Sequence, residues 1–499
     1  MSADYDGTEC AALLAQMGIQ ASSAETEFYR GHVESMLRIL EDIDDEPPTA
    51  ARRGWRAPAP DENPLGAWHR LGVIQGAPSG PLAGRTIALK DNILLAGVPL
   101  ANGTPVLDGY VPDTDAEIVR RVLAAGARIV GKTVCEAYCC SGGSHTSASG
   151  PVRNPKDPLR SAGGSSSGSA AVVASGAADM AIGCDQGGSI RIPASYCGIY
   201  GMKPTWGLVP YTGVLGMNFM IDHAGPMTAD VADNARLLEV LAGPDGADPR
   251  QHGARVDEYT AALGRPITGV RIGLLTEGFS APGSDPRVGD CVRAAAAALA
   301  RMGAVVCERP VPVHATAARL SLGAVQAIVA SMFEADGCPI EQRVPVDAGY
   351  VRAQRNWRAR VNELPVNVKA MLVFGAALRQ RHGYEHLARA FNRLNKISAH
   401  YDAALREVDL LVLPTTPTAA PLLPPPGAPP QELLSAAHGP AANTGIFNHT
   451  HHPAMSVPCG TRGGMPVGMM LVGRHFEEAL IYSVAHAFEQ TADWRRAAF

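Results

Sequence analysis

Two Gly/Ser-rich turns hold the residues of this sequence that are best suited to nucleophilic chemistry. The first turn reads GGSSSGS over Gly163–Ser169, and the second reads QGGS over Gln186–Ser189. Glycine lets a turn adopt conformations that other residues resist, and it lets another group approach the backbone closely. Both turns are therefore suited to aim backbone N–H groups and serine hydroxyls at one place.

Lys90 is a candidate base for such a serine, because a serine hydroxyl is a weak nucleophile until its proton is removed. It directly follows the apolar segment 85–89. Desolvation at the end of a buried strand would lower the pKa of this lysine, and serine with a lysine base is a known catalytic arrangement. Taken alone, the lysine also fits a surface ion pair, and either turn alone fits a flexible loop.

The second turn offers consecutive N–H groups beside a hydroxyl, which is the geometry of an oxyanion hole next to its own nucleophile. The predicted donors are Gln186, Gly187, Gly188 and Ser189. A phosphate-binding loop is disfavoured because neither turn ends in Gly-Lys-Ser/Thr. Asp185 and Arg191 flank the turn, either as hydrogen-bonded braces or as a plain surface pair.

Short apolar strands alternate with helical segments from Leu82 onward. We expect a helix at 116–126, with strands at 85–89, 127–132, 270–275, 305–311 and 409–414. This alternation predicts an α/β fold with a large mixed, mainly parallel sheet covered by helices on both faces. The segment that follows residue 204 up to Pro226 is expected to be rich in loops. Between the two turns, the sequence predicts a buried helix at 170–175 and a core strand at 179–183.

Composition limits the function classes. The chain has 499 residues, of which 46% are hydrophobic, and a net charge of -5. It can bury a large core, and the absence of a basic run argues against nucleic-acid binding. No 18-residue apolar stretch is free of charges or turn residues, so no membrane span is expected. The acidic N-terminus does not resemble a signal peptide, which favours a cytoplasmic protein.

Neither a metal nor a cofactor is predicted. The ten cysteines form no paired C-x-x-C set. Adjacent histidines occur in the run Asn448–His452, but no carboxylate lies nearby in the sequence. Histidines of one loop without a carboxylate are weak evidence for a metal site.

The N-terminal part differs from the rest of the chain. Residues 1–70 form a predicted helical region, with helix-spaced apolar residues at 9–14 and 26–40 and a polar, Pro-rich linker at 42–64. Residues 71–499 form the predicted catalytic domain.

Three segments at matching spacing resemble the amidase signature family. They are ALKDN, GGSSSGSA and CDQGGSIRIPASYCGIYGMKPTWG. The resemblance extends from about Leu82 to the C-terminus. Within the family, the chain is most similar to the amidases that accompany nitrile hydratases in actinobacteria, on the segments 148–155, 207–213 and 472–476.

The resemblance implies a catalytic triad of Lys90, Ser165 and Ser189. Ser189 would attack an amide carbonyl, and Ser165, joined to Gly164 by a cis peptide bond, would relay the proton. Lys90, neutral when substrate binds, would be the final base. The reaction would release ammonia or an amine and leave an acyl-Ser189 for hydrolysis by water.

The resemblance also implies other features. The acyl pocket would be lined by Cys139, Cys140, His145 and Asn218. Because Cys140 and His145 replace aromatic residues of the related amidases, their amide preference does not carry over. Ser167 replaces a family glycine, which we expect to tighten the loop or add a hydrogen bond. The N-terminal helices would contribute to a homodimer, as they do in these relatives.

Other functions fit parts of this pattern. The chain could be the glutaminase component of a tRNA-dependent amidotransferase, which needs a partner protein. The same triad could act on anilides, carbamates or natural-product acyl amides, and a catalytically silent binding protein could share the fold. The N-terminal extension and Gln186 favour a free-standing amidase acting on a small-molecule amide.

Overall fold

The structure, a computed structural model, describes residues 5–41, 43, 53–281, 283–340 and 344–491. Residues 1–4 of the acidic N-terminus and most of the predicted linker, residues 42 and 44–52, lie outside the described residues. The chain divides into two compact units, Met1–Thr49 and Ala50–Phe499. Residues 53–70 belong to the second unit, so the boundary between the units precedes the predicted position at 70.

The first unit contains two helices, α1 (Gly7–Met17) and α2 (Ser23–Glu41). The side chain of Asp6 caps α1 by accepting from the N–H of Glu9 at 2.8 Å, and Gly18 ends the helix with a φ of 73°. Both signals are typical of helix termini. The two predicted apolar segments, 9–14 and 26–40, lie within these helices.

The second unit alternates strands and helices, as the sequence predicts. Its strands are β1 (Trp68–Gln75), β2 (Thr86–Lys90), β3 (Arg128–Thr133), β4 (Arg153–Asn154), β5 (Asp157–Ser161), β6 (Met180–Asp185), β7 (Tyr200–Lys203), β8 (His223–Thr228), β9 (Arg271–Leu275), β10 (Val305–Arg309), β11 (Leu410–Pro414), β12 (Ala454–Arg462) and β13 (Met465–Val472). Its helices are α3 (Glu117–Ala124), α4 (Ser167–Ala174), α5 (Arg191–Cys197), α6 (Val231–Leu241), α7 (Pro286–Arg301), α8 (His314–Glu334), α9 (Ala348–Gln354), α10 (Val366–His382), α11 (Glu385–Glu407), α12 (Pro430–His438), α13 (Ile446–His449) and α14 (Glu478–Glu489).

Eleven strands form one mixed sheet in the order β1-β3-β2-β6-β8-β7-β12-β13-β11-β9-β10. The α/β class and the mixed sheet are confirmed, but the predicted excess of parallel strands is wrong. Only the pairs β3-β2, β2-β6, β11-β9 and β9-β10 are parallel, and the six other neighbouring pairs are antiparallel. The middle of the sheet is antiparallel because β8, β7, β12 and β13 are inserted there. Strand β8 reads HAGPMT, and its first four residues lie in the stretch expected to be loops, because its Gly and Pro hide the strand pattern.

Helices cover both faces of the sheet, as predicted. In β11, Leu410 and Val412 belong to one hydrophobic cluster, whereas Leu411 and Leu413 belong to another. The first cluster includes residues of α3, α6, α7 and α14, and the second includes residues of α8 and α11. Successive side chains of a strand point to opposite faces, so each face has its own layer of helices.

The parallel pair β2 and β6 places the two Gly/Ser-rich turns beside Lys90. Leu89 pairs with Ile182 in this register, so Lys90 and Asp185 lie at the same edge of the sheet. The first turn leads into α4, whose Ala- and Val-rich residues 170–173 pack under the sheet. Because parallel strands end at the same edge, residues far apart in sequence meet here.

One helix among the described residues, α8, has the length and hydropathy of a membrane span, and 44% of that apolar window is buried inside the protein. Residues Ala317 and Ala324 of α8 belong to the same cluster as Leu411 of the sheet. Part of the apolar surface of α8 is therefore buried against the sheet.

Candidate active site

Lys90 and Ser165 are in direct contact at the edge of the sheet. The Lys90 Nζ donates to Ser165 Oγ at 2.8 Å and to the carbonyl oxygen of Cys184 at 3.2 Å. Both side chains are fully buried. The peptide bond between Gly164 and Ser165 is cis, as the resemblance implies. The lysine is thus held by a hydroxyl and a carbonyl, and among the described residues no carboxylate bonds to its amine.

Ser189 lies beside this pair and borders a cavity of about 300 Å³. Its carbonyl oxygen accepts from the N–H of Ser166 at 3.2 Å, which ties the two turns together. Within the described residues, its Oγ makes no hydrogen bond, so the hydroxyl faces the cavity. The structure therefore brings Lys90, Ser165 and Ser189 to one site and leaves Ser189 open to a ligand.

The second turn offers three of the four predicted oxyanion-hole donors. Among the described residues, the N–H groups of Gln186, Gly187 and Ser189 have no hydrogen-bond partner. The prediction of Gly188 as the fourth donor is wrong, because its N–H already donates to Asp185 Oδ1 at 2.7 Å.

Gly188 has a structural reason to be glycine. Its φ is +130°, and a Cβ there would lie 2.2 Å from the Oγ1 of Thr444. No other residue could adopt this conformation and leave Thr444 in place. Gly188 therefore shapes the turn rather than binding an oxyanion.

A buried ion pair of Asp185 and Arg191 braces the second turn. Of the two interpretations of these residues, the brace fits the structure and the surface pair does not. Arg191 donates from Nη2 and Nε to the two Asp185 oxygens at 2.9 and 3.0 Å, and both residues are fully buried. Arg191 also donates to the Thr444 carbonyl and to Asn448 Oδ1. Burial opposes ionisation of Asp185, but the charge of Arg191 holds the pKa of Asp185 well below its usual range. The pair therefore stays charged and fixes the backbone of the turn.

The cavity beside Ser189 is lined mainly by apolar side chains. They include Cys139, Cys140, Ile192, Met217, Val325 and Met371. Cys139 and Cys140 thus lie where the sequence places them, but His145 and Asn218 do not line this cavity, which corrects the predicted pocket. The ring of His145 faces the carbonyl of Leu433 at 3.2 Å, and Asn218 Oδ1 accepts from the N–H of Met220 at 2.9 Å.

Several cavity residues were not predicted. Helix α8 contributes His314, Arg319 and Val325, and α10 contributes Met371. These residues are more than a hundred positions from the Gly/Ser-rich turns, in helices whose sequences carry no motif. Only the packing of α8 and α10 over the sheet reveals them.

Comparisons with known proteins identify the family of this chain. The profile of the Amidase family matches residues 69–482. This chain belongs to the amidase family. The family prediction is therefore confirmed, and the chain is an amide-hydrolysing enzyme.

Individual relatives of this family member differ in their named activities. The chain is 42% identical to an enantioselective amidase of Rhodococcus rhodochrous, over 91% of this chain and 87% of the relative. It is 38% identical to a glutamyl-tRNA(Gln) amidotransferase component of Synechococcus, over 83% and 84% of the two chains. The solved native peptide amidase of Stenotrophomonas maltophilia is 33% identical, with a TM-score of 0.67 over 84% of each chain.

Cys139 was predicted only as a residue of the acyl pocket. In the structure of this amidase its side chain also lies next to Lys90. Burial favours the neutral amine of Lys90, but the adjacent Cys139 sulfur raises the pKa of Lys90 above its ordinary value. Burial likewise opposes ionisation of Cys139, yet its contacts with Cys135 and Lys90 lower its pKa to about 6. Cys139 is therefore a candidate to accept the proton of Lys90 when the amine becomes neutral.

Ser167, which stands where the family has a glycine, shows one of the effects expected of it, an added hydrogen bond. Its Oγ donates to Glu136 Oε1 at 3.1 Å, while Glu136 Oε2 accepts from both the N–H and the hydroxyl of Thr146. Burial raises the pKa of Glu136 to about 7. Since the N–H of Glu136 donates to the carbonyl of Ser165, Ser167 supports the first turn indirectly.

Replacement of Asp185 by asparagine should destabilise the amidase by about 3–5 kcal/mol at pH 7, because it leaves the buried Arg191 charge unpaired. The folded pKa of Asp185 lies below its unfolded value, so its contribution is complete above about pH 4 and decreases at lower pH. Urea unfolding at several pH values measures the difference. Asp285→Asn, at a partly exposed ion pair, is the control and should cost less than about 1 kcal/mol. Equal effects of the two substitutions would contradict the bracing role.

Lys90→Met should slow alkylation of Cys139 by iodoacetamide at pH 7 at least tenfold. With Lys90 present, the pKa of Cys139 is about 6 and the thiolate predominates at pH 7. Loss of the lysine charge leaves only the contacts with Cys135 and Ser165 to oppose burial, so the pKa of Cys139 rises and the thiolate becomes scarcer. Peptide mass spectrometry at timed intervals gives the rate, with the exposed Cys307 as the internal reference. An unchanged rate would show that the two groups do not share a proton.

Proposed function

We propose that the chain is a free-standing amidase that hydrolyses small, mainly apolar carboxamides through an acyl-Ser189 intermediate. The observation that carries this proposal is the 2.8 Å contact from Lys90 Nζ to Ser165 Oγ, buried next to an unbonded Ser189 hydroxyl. Among the described residues, this amine contacts a hydroxyl, a carbonyl oxygen and a sulfur, and no carboxylate bonds to it, which suits proton transfer.

The proposed reaction begins when the substrate carbonyl enters the cavity against the second turn. Ser165 Oγ accepts the proton of Ser189 and passes its own proton to neutral Lys90, while Ser189 Oγ attacks the carbonyl carbon. The N–H groups of Gln186, Gly187 and Ser189 are the available donors for the oxyanion. Ser165 then protonates the leaving nitrogen, and water hydrolyses the acyl-serine by the same relay.

Cys139 completes the proposed proton path. In the resting pair, the Lys90 ammonium faces the Cys139 thiolate. A shift of one proton from Nζ to Sγ produces a neutral amine and a thiol without changing the net charge of the site. This exchange avoids releasing a proton to water from a buried position.

The cavity supports an apolar acyl group. Ile192, Met217 and Met371 offer hydrocarbon and thioether surface, which stabilises apolar ligands by removing them from water. A volume of about 300 Å³ is at the small end of ligand pockets. The favoured substrates are therefore compact amides with aliphatic or single-ring acyl groups; anilides and carbamates of that size would use the same machinery.

Hydrolysis of glutamine is the second candidate function. Glu277 and Arg319 border the same cavity and could pair with the ammonium and carboxylate of an amino acid. A relative that is 38% identical bears the name of an amidotransferase component. Such a function would require a partner protein to receive the ammonia.

The isolated chain should release ammonia from simple amides such as benzamide or butyramide at least tenfold faster than from glutamine. The reason is the apolar lining of the cavity. An assay of kcat/KM by coupled ammonia detection compares the substrates, and Arg319→Met should change these values little. Preference for glutamine, lost in Arg319→Met, would favour the amidotransferase function.

Ser189→Ala should abolish turnover with the fold intact, and Lys90→Met should lower kcat by several orders of magnitude. Ser167→Gly, which restores the family residue and removes the bonds to Glu136 and to the Val134 carbonyl oxygen, is the matched control and should retain activity within about tenfold. Steady-state kinetics and far-UV circular dichroism test all three. Substantial turnover by Ser189→Ala would remove this serine from the proposal.

We also propose a homodimer formed through the N-terminal helices, and a cytoplasmic location. Helix α2 exposes Phe28, Ile39 and Leu40, whose relative exposures are 67%, 58% and 64%. All ten cysteines are free thiols, which fits a reducing compartment. Light scattering should give twice the chain mass, and Phe28→Glu with Leu40→Glu should give a monomer. A wild-type monomer would contradict the dimer.

A further inference from the structure

Asp402, His452 and His475 meet on the second unit, apart from the triad. Asp402 lies on α11, His452 precedes β12, and His475 follows β13. One possible ligand atom from each residue lies within 4.8 Å of those of the other two. The two imidazole rings stack with their centroids 4.3 Å apart and their planes 23° from parallel. Three distant segments thus converge with two nitrogen ligands and one oxygen ligand.

Thr450 fixes the tautomer of His475. The His475 Nε2 lies 2.9 Å from the Thr450 carbonyl oxygen. A carbonyl only accepts, so Nε2 carries the hydrogen and Nδ1 keeps its lone pair. Metal-binding histidines typically donate their second ring N–H to a carbonyl or carboxylate in this way.

His452 has a buried nitrogen that lacks a hydrogen bond. Its Nδ1 lies 3.0 Å from the hydroxyl of Thr450, and its side chain is 1% exposed. Its Nε2 lies 3.2 Å from Asp402 Oδ1, yet among the described residues this buried nitrogen has no hydrogen-bond partner. His452 Nε2 and Asp402 Oδ1 are close to each other but are not aligned for a hydrogen bond. Both atoms are therefore available to coordinate a metal ion.

We propose that Asp402, His452 and His475 bind one first-row divalent metal ion, with Zn²⁺ as the expected occupant. Two imidazoles and a carboxylate are a common zinc ligand set, with water in the fourth position. Mg²⁺ and Ca²⁺ prefer oxygen ligands, which disfavours them here.

The bound ion would stabilise the fold rather than take part in amide hydrolysis. It would join α11 to the segments before β12 and after β13. Asn448, four positions before His452, donates to the Asp185 carbonyl at 2.8 Å. The segment that the ion would fix is therefore the one that supports the second turn.

The sequence could not indicate this site. It predicts no metal because the run 448–452 contains no carboxylate, and the acid that completes the set lies fifty positions earlier, on α11. His449 and His451, the other histidines of that run, are absent from the cluster.

Zinc binding to the chelator-treated full-length protein tests the proposal. Competition with a chromophoric chelator should give one tightly bound Zn²⁺ per chain, and zinc should raise the unfolding midpoint by several degrees. Asp402→Asn and His475→Ala should each lower the zinc affinity at least tenfold and remove the rise in the midpoint. Both positions are partly or fully exposed, so these variants should fold.

Two control variants separate this site from other zinc ligands. His400→Ala removes an exposed histidine of α11, and His386→Ala disrupts a histidine pair with ring centroids 3.9 Å apart. Both controls should bind zinc like the wild type. The proposal fails if the wild type binds no zinc, or if Asp402→Asn and His475→Ala bind zinc as tightly as the wild type. It also fails if bound Co²⁺ shows sulfur-to-cobalt charge transfer. Amidase turnover plays no part in these readouts, so they are independent of the proposed function.

Discussion

The contact between Lys90 Nζ and Ser165 Oγ is the interaction on which the site depends. It joins the end of β2 to the first Gly/Ser-rich turn, and the parallel pairing of β2 with β6 places the second turn beside it. A lysine amine buried without a carboxylate is costly unless its proton is shared or released. The fold surrounds this amine with a hydroxyl, a carbonyl oxygen and the sulfur of Cys139, which is the proposed acceptor of its proton.

Buried charged groups and one glycine conformation fix the two Gly/Ser-rich turns around this contact. The buried pair of Asp185 and Arg191 sets the second turn, and Glu136 supports the first turn through Ser167 and Thr146. Gly188 brings the turn close to Thr444, where a side chain would clash. Since these groups hold the backbone, Ser189 can remain unbonded and exposed to substrate without loss of order around it.

Much of this arrangement could be predicted, because the residues concerned are close to strand ends and carry local signals. Lys90 follows an apolar strand, the two turns are marked by glycine and serine, and the helix predicted over 116–126 contains α3, Glu117–Ala124. The antiparallel centre of the sheet was not predicted, because β8 contains Gly and Pro and is identified only by its pairing with β6 and β7. The positions of His145 and Asn218 depend on contacts with Leu433 and Met220, which no sequence pattern indicates.

The most direct test of the central claim is to locate the covalent intermediate. Mass spectrometry of the acid-quenched protein, taken in the first turnover with a slowly hydrolysed amide, would identify the acylated residue. An acyl group on Ser189 is expected in the wild-type protein, and the burst should be slowed by orders of magnitude when Ser165 is replaced by alanine. An acyl group on another residue, or a normal burst without the Ser165 hydroxyl, would contradict it.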